Sequence, residues 1–517
     1  MIHTSPLGDV TIPDTALTPF ILERARELED QPAFIDGPTG RVVTYAGLDD
    51  LVRRLAGGLV AAGMPKGEVL AILAPNCPEY AVVFHGVAMA GGTVTTINPT
   101  YTAGEVHHQL VDAGATRLVT IPMFLDTARS AMEGTGVTEL YVLGEADGVA
   151  PFTTLLGEPL AEQVPVDADD VVVLPYSSGT TGLSKGVMLT HRNLVANVVQ
   201  SLSAITMTED DSFVAVLPFF HIYGMQVLMN MGLRTGATIV TMPRFDLEQF
   251  LQLHQDHSLT RAFVAPPMVV ALAKHPIVDN YDLSALNLIF SGAAPLSAEL
   301  AVEAGQRLDC EVVQGYGMTE LSPVSHATPE GQFKPGSVGV TVASAETLIV
   351  DPATQEPLGI DADGEVWVRG PMVMKGYLNN PEATAATIDD DGWLHTGDVG
   401  HIDADGHLYV VDRLKELIKY KGFQVPPAEL EALLLNHPMI ADAAVIGLPD
   451  DEAGELPAAY VVLRPGAEAT AEEIQAWVAG QVASYKQVRK LTFIDAVPKS
   501  ASGKILRRVL RDQAAAG

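Results

Sequence analysis

An apolar run, Val171-Val-Val-Leu174, leads into Tyr176-Ser-Ser-Gly-Thr-Thr-Gly-Leu-Ser-Lys-Gly-Val187. This order constrains the fold more than any other stretch. It requires a buried strand that ends in a loop of small, hydrogen-bonding residues and closes on a lysine. Ser177, Ser178, Gly179, Thr180, Thr181 and Gly182 offer backbone N–H groups and hydroxyls, and Lys185 adds one ammonium, a combination suited to a polyphosphate. The loop differs from a Walker A loop, because Leu183 and Ser184 separate Gly182 from Lys185. A plain Gly/Ser linker is the competing reading, but linkers are seldom set against a hydrophobic strand and ended by Lys-Gly-Val.

The chain of 517 residues is too long for one hydrophobic core, so two or more domains are expected. Two cysteines, Cys77 and Cys310, cannot build a disulfide framework, and no Cys/His cluster has zinc-ligand spacing. The N-terminus lacks a basic region followed by an apolar segment, and no apolar run reaches the ~18 residues of a spanning helix. The expectation is a cytoplasmic protein without membrane contact. A net charge of −33 argues against a nucleic-acid partner. That charge is uneven. Residues from Arg413 onward hold 13 basic and 13 acidic side chains, so the whole excess lies in the preceding 412 residues. A solvated acidic surface accounts for this by itself; a C-terminal part that must approach an anionic ligand would account for it too.

Strand-like and helix-like segments alternate through most of the chain. Leu48, Leu51, Val52, Leu55 and Leu59 fall at helical spacing before the strand-like Val69-Leu-Ala-Ile-Leu73, and Phe213–Leu217 and Ala237–Met242 read as further strands. The pattern predicts an α/β fold of mainly parallel sheets with covering helices. The texture changes near residue 412. Leu408–Val411 reads as a strand and Asp412-Arg-Leu-Lys-Glu416 as a charged joint. A smaller α+β unit follows, with a helix from Pro427, strands at Ala443–Ile446 and Ala459–Leu463, and a helix after Thr470 with Glu473 in capping-box register. The predicted division is 1–413 and 414–517.

Three further motifs lie downstream of the loop. Gln314-Gly-Tyr-Gly-Met-Thr-Glu320 groups an aromatic ring, a hydroxyl and a carboxylate, read as one turn that could serve a base, a phosphate and magnesium. Trp393-Leu-His-Thr-Gly-Asp398 presents a carboxylate after a turn, suited to ribose hydroxyls. Pro498-Lys-Ser-Ala-Ser-Gly-Lys504 is a second Gly/Ser loop ending in lysine. Singly, each could be an ordinary turn or a solvated charge. In this order they resemble the adenylate-forming superfamily over nearly the whole chain. Leu217-Pro-Phe-Phe-His-Ile-Tyr-Gly224, Ser291-Gly-Ala-Ala-Pro-Leu296, Gly364–Gly370 and Asp412–Gln424 are most similar to the 4-coumarate/cinnamate–CoA ligases.

That resemblance implies a large adenylation domain, a small mobile lid, and a reaction that uses ATP, Mg2+, CoA and a small carboxylic acid in a monomer or homodimer. It also implies roles for individual residues. Ser177 to Gly182 and Lys185 would hold the β- and γ-phosphates, and Thr180 and Glu320 would attend magnesium. Thr319 would contact the α-phosphate. Ala293, Ala294, Gln314, Gly315 and Tyr316 would border the adenine, with Asp398 and Arg413 on the ribose. Lys504 would act in adenylation. After rotation about Lys415, Lys419 and Gln424 would meet the adenylate, and Lys421 and Gly422 would line the CoA side. The acyl chain would lie among His221, Tyr223, Val227, Phe290, Ser291, Gly292, Ala293, Ala294, Gly315, Gly317, Pro323 and Val324.

Two positions depart from the family's plant members, which commonly carry a lysine where this chain has Phe290 and often a serine where it has Val227. Both changes remove a polar partner for a ring hydroxyl. The expectation is therefore that cinnamate is accepted about as well as 4-coumarate. A medium-chain fatty acid or another aryl acid is the alternative substrate. A luciferase-like oxygenase fits less well, because the segment reads His221-Ile-Tyr-Gly, and a non-catalytic scaffold would not be expected to retain Lys185, Glu320, Asp398 and Lys504.

Overall fold

Helix Tyr45–Ala61 and strand Val69–Leu73 show how the pattern becomes structure. Leu48, Val52, Leu55 and Leu59 line one buried stripe, and the Thr44 hydroxyl caps the first turn by accepting the Gly47 N–H. The strand then runs parallel between Thr93–Thr96 and Ala115–Thr120. It is covered on both faces, which explains an unbroken apolar run rather than an alternating one. The computed structural model describes residues 1–177, 184–421, 423–450, 452–500 and 503–516.

Among these residues the chain forms four sheets. One of eight strands centres on Val69–Leu73 and continues through Thr93–Thr96 to Val171–Ser177, with the antiparallel Lys185–Thr190 and Gly376–Tyr377 closing its edge. One of nine strands has the parallel core Glu311–Gly317, Leu288–Ser291, Arg261–Val264, Ser212–Ala215 and Thr238–Thr241, and ends in antiparallel strands on both sides. These two match the expected mainly parallel architecture. A third sheet is different. Ile2–Thr4, Glu346–Val350, Gly364–Arg369, Leu394–Ile402 and Leu408–Arg413 are all antiparallel.

From Ile418 onward the strands Phe423–Val425, Ile418–Tyr420, Gly454–Leu463, Ile440–Asp450 and Lys490–Phe493 form a separate sheet. Helices Pro427–Leu435, Ala471–Ala479 and Arg507–Ala516 accompany it. Its buried apolar residues, from Ile418 to Leu510, cluster with one another, whereas the main core runs from Leu17 to Leu408. Leu430 and Leu434 are buried as their spacing requires, Leu433 less so, and Thr470 and Glu473 form the expected capping box.

Two local readings need correction. Asp412 and Arg413 are not part of a loose joint but the end of strand Leu408–Arg413, and the turn lies at 414–416. The segment Gln314–Glu320 is not one turn. Tyr316 lies on strand Glu311–Gly317, and Thr319 and Glu320 open a separate 3-10 turn. No helix among the described residues is long and apolar enough to cross a membrane.

Candidate active site

Strands Val171–Ser177 and Lys185–Thr190 pair with Lys185 opposite Ser177, so the lysine stands at the mouth of the loop. Its ammonium lies 4.0 Å from the centroid of the Tyr377 ring. The Tyr377 hydroxyl in turn donates to Oε1 of Glu320 at 2.8 Å. Glu320 and Thr319 are both buried. Lys185, Tyr377 and Glu320 therefore form a continuous row of cation, ring and carboxylate. Ser178, Gly179, Thr180, Thr181 and Gly182 lie outside the described residues, as does Gly422.

A second row begins at Asp398. This residue sits within strand Leu394–Ile402, not after a turn, and faces Arg413 across the sheet. Arg413 Nε is 3.1 Å from Oδ1, and the Tyr316 hydroxyl donates to Oδ2 at 2.6 Å. Burial and the Asp398 charge push the Tyr316 phenol well above its ordinary range, so it stays a donor. The Gln314 side chain is buried next to these groups in sequence, and its Nε2 has no hydrogen-bond partner among the described residues. An unpaired buried amide is costly, which favours a ligand that supplies an acceptor there. Ala293 lies in the left-handed region at φ 72°, in a bend that continues to Ala294.

Lys504 arrives at this cluster from the C-terminal unit. Its loop is closed by Ser500, which receives the Lys504 N–H on its side chain at 3.1 Å. Gly503, at φ +82°, comes so close to the large unit that a Cβ there would meet Ala265 Cβ at 3.4 Å and Pro267 at 3.5 Å. Burial and the Arg413 charge lower the Lys504 ammonium to about 8, partly offset by Asp398, Glu416 and Glu320. His221 is lowered to about 4 by burial and then by Lys504. The imidazole is thus neutral near pH 7. Its Nδ1 accepts the Tyr223 N–H at 3.4 Å, which leaves the proton on Nε2.

Behind His221 the helical segment Tyr223–Met231 is wound with i→i+5 bonds and is wholly buried. Its Tyr223 hydroxyl donates to the Phe290 carbonyl at 3.2 Å, and Val227 is buried within it. Phe290 packs against Phe263 and lies under Gly315, where a Cβ would come within 2.4 Å of the ring. A Cβ at Gly292 would meet the Tyr223 ring at 3.0 Å. Ser291 is buried, and its hydroxyl has no hydrogen-bond partner among the described residues. Gly317 abuts Pro323, and Val324 is buried beside it. Tyr223, Phe290, Gly292 and Gly315 thus pack closely together, with the Ser291 hydroxyl as the polar group among them, while Ala293 is exposed and Ala294 half-buried.

Lys419, Lys421 and Gln424 are not in this cluster. All three are exposed on the hairpin of Ile418–Tyr420 and Phe423–Val425, where Lys421 pairs with Glu452 at 2.8 Å. Lys415 is exposed on the turn between the units. Tyr377, which contacts both Lys185 and Glu320, is a candidate site residue not expected from the sequence. It belongs to a two-residue strand, and only the pairing of Val187 with Tyr377 reveals its place.

Comparison with known proteins adds the lineage. A family model described as AMP-binding enzyme matches residues 21–378, and one described as AMP-binding enzyme C-terminal domain matches residues 429–504. The chain belongs to the AMP-binding enzymes. Within them it is 46% identical to 4-coumarate–CoA ligase 3 of Oryza sativa subsp. japonica, over 100% of this chain and 96% of that one. It is 43% identical to 4-coumarate–CoA ligase 1 of Narcissus pseudonarcissus over 100% and 97%. Among solved structures, this AMP-binding enzyme is similar to ATP-bound MatB from Rhodopseudomonas palustris, with TM-score 0.88, 30% identity and coverage of 96% and 99%. It is also similar to the anthranilate CoA ligase AuaEII in complex with anthranoyl-AMP, with TM-score 0.90, 26% identity and coverage of 98% and 99%.

Proposed function

We propose that this chain is an AMP-forming acid–CoA ligase for cinnamic and hydroxycinnamic acids, with residues 1–413 as the adenylation domain and 414–517 as its lid. The observation that carries the reading is the seat of Lys504. A lysine from the C-terminal unit is partly buried near Asp398, Glu320, Arg413 and His221, where a nucleotide phosphate and a carboxylate would meet.

In the first half-reaction a carboxylate oxygen of the acid attacks the α-phosphorus of ATP. The bond to the bridging oxygen breaks and pyrophosphate leaves. Charge gathers at one phosphate, so fixed cations and N–H donors there lower the barrier. Lys504 supplies a cation from the lid side and Lys185 one from the loop side. Thr319 offers a hydroxyl to the α-phosphate. Asp398 accepts ribose hydroxyls while Arg413 and Tyr316 fix its orientation, and the Tyr316 ring and Ala293–Ala294 flank the base. Neutral His221 borders the carboxylate without competing with Lys504 for charge.

Glu320, oriented by Tyr377, suits magnesium. The described residues contain no group of three or more His, Cys, Asp or Glu that could hold a metal, and magnesium needs only one or two carboxylates when phosphates and water complete its shell. Glu320, with Thr180 outside the described residues, would hold the ion, which would neutralise phosphate charge.

In the second half-reaction the CoA sulfur attacks the acyl carbon, the bond to the AMP oxygen breaks, and the thiol proton passes to solvent. Lys504 has no task there. Lys419, Lys421 and Gln424 lie on a different, exposed face of the same unit, which favours rotation about Lys415 between steps. An electrically balanced lid suits this movement, since an acidic one would be repelled by polyphosphates. The pocket wall of Tyr223, Val227, Phe290 and Gly315 is apolar at its floor, so an aryl ring without a 4-hydroxyl is accommodated. ATP–pyrophosphate exchange and CoA-thioester formation with cinnamate, 4-coumarate, ferulate, benzoate and octanoate test the reading. Cinnamate or 4-coumarate should give the highest kcat/KM; a preference for octanoate or benzoate would overturn the substrate class.

A further inference from the structure

Helix Pro427–Leu435 begins with a deficiency. Pro426 stands at its cap position and provides no side-chain acceptor, and Pro427 follows. The first-turn N–H groups of such a helix have no acceptor of their own. The Ala428 N–H is nevertheless paired. It donates to Oδ2 of Asp412 at 2.8 Å. Asp412 belongs to strand Leu408–Arg413 of the large unit's antiparallel sheet, on the other side of the turn that exposes Lys415. Its second oxygen accepts the Arg413 N–H at 2.7 Å, so the carboxylate is held rigidly. A buried carboxylate at a helix N-terminus is also well placed against the helix dipole.

The contact continues toward the catalytic loop. Glu431, one turn along the same helix, accepts the Val445 N–H at 2.8 Å and Arg507 Nη2 at 2.6 Å. Arg507 also pairs with Glu416 and donates through Nε to the Val445 carbonyl at 3.2 Å. Arg507 is three residues beyond Lys504. One buried path therefore runs from the strand end at Asp412, through helix 427–435, to the segment that bears Lys504.

We propose that Asp412 is a positioning residue, a latch that caps the lid helix only when the lid presents Lys504 to the phosphate site. This rests on the reading of Lys504 and Lys415 given above. If the lid turns about Lys415, Ala428 leaves Asp412 and its N–H passes to water. The bond thus stabilises the adenylation orientation and has no counterpart in the other. Removing it shifts the population away from that orientation and slows only the first half-reaction.

The test uses the full-length enzyme and measures the half-reactions separately, by ATP–pyrophosphate exchange and by CoA transfer from supplied cinnamoyl-adenylate. Asp412→Ala should lower exchange about tenfold, the usual scale of a lost charged cap, and leave transfer equal or faster. Asp412→Asn, which retains a side-chain oxygen for Ala428, should recover most of the exchange. Thermal melting verifies that both variants are folded. Equal loss in both half-reactions, unchanged exchange in Asp412→Ala, or an Asn variant no better than Ala would each overturn the latch. Lys504→Ala, measured alongside, separates the two levels. If it retains exchange, the reading of the site fails; if it loses exchange while Asp412→Ala does not, the latch alone fails.

Discussion

The hydroxyl of Tyr377 donates to the carboxylate of Glu320 at 2.8 Å, while the face of the same ring receives the ammonium of Lys185. One side chain thus orients the carboxylate assigned to magnesium and the lysine assigned to the terminal phosphates. Tyr377→Phe keeps the ring under Lys185 and deletes the donor. It should raise the magnesium concentration needed for half-maximal exchange by about tenfold to a hundredfold, matching the ~1.5–3 kcal/mol of a hydrogen bond to a charged group. KM for the acid should not change. An unchanged magnesium requirement would remove Tyr377 from the site.

The pocket floor bears on substrate choice. Phe290 is buried against Phe263 and under Gly315, with no polar partner for a ring hydroxyl in its own side chain or in that of Val227. Cinnamate and 4-coumarate should therefore have kcat/KM values within about tenfold of each other. Phe290→Lys should raise the preference for 4-coumarate by about tenfold, since a paired buried hydroxyl avoids a cost on the order of 1–3 kcal/mol. A parent enzyme preferring 4-coumarate by about a hundredfold or more would contradict the assignment.

Lys504 sets the alkaline side of the pH profile. Burial lowers its ammonium to about 8, and the ammonium is the active form. The kcat/KM for adenylation should fall as pH rises through that value. In kcat the same limb should lie higher, because bound phosphates favour the charged amine. His221, lowered to about 4, should give no limb near neutrality. Direct titration of Lys504 at or above the ordinary lysine value would contradict this.

Glu431 links pH to stability. Burial raises its carboxyl to about 7 despite Arg507, so the folded lid favours the neutral acid. Stability from this group is complete below the unfolded value and declines as pH rises through about 7. Glu431→Gln keeps an acceptor for Val445 but cannot ionise. Relative to the parent, the variant should gain on the order of 1–3 kcal/mol between about pH 5 and pH 8, read from melting curves, because a tenfold change in an ionisation constant corresponds to about 1.4 kcal/mol. A gap that closes with rising pH would contradict the direction.

The chemistry of this protein was easier to read in the sequence than its geometry. The loop before Lys185, the Tyr316–Glu320 segment, Asp398 and Lys504 stand out in the sequence because small, hydroxyl-bearing and charged residues follow one another there in an unusual order, and they are the residues proposed to handle phosphate and nucleotide. The parallel sheets were visible because strands covered on both faces lose their alternation. Other features depend on pairings between distant segments. The strand bearing Tyr377 has only two residues and no periodicity. The antiparallel sheet that sets Asp398 opposite Arg413 joins segments as distant as Ile2–Thr4 and Leu408–Arg413. Asp412 looked like part of a charged joint, because its partner is a backbone N–H whose need arises from Pro426 and Pro427. The i→i+5 winding of Tyr223–Met231 left no mark in composition.

In the proposed two-position lid, one lysine serves one half-reaction and then turns away. Lys504→Ala tests it, with ATP–pyrophosphate exchange and CoA transfer from supplied cinnamoyl-adenylate measured on the same preparation. A single well-placed cation is worth ~3–4 kcal/mol, so exchange should fall about 10²–10³-fold. Transfer should stay within about twofold of the parent, as Lys504 touches nothing in that step. An equal fall in both half-reactions would contradict the two-position lid.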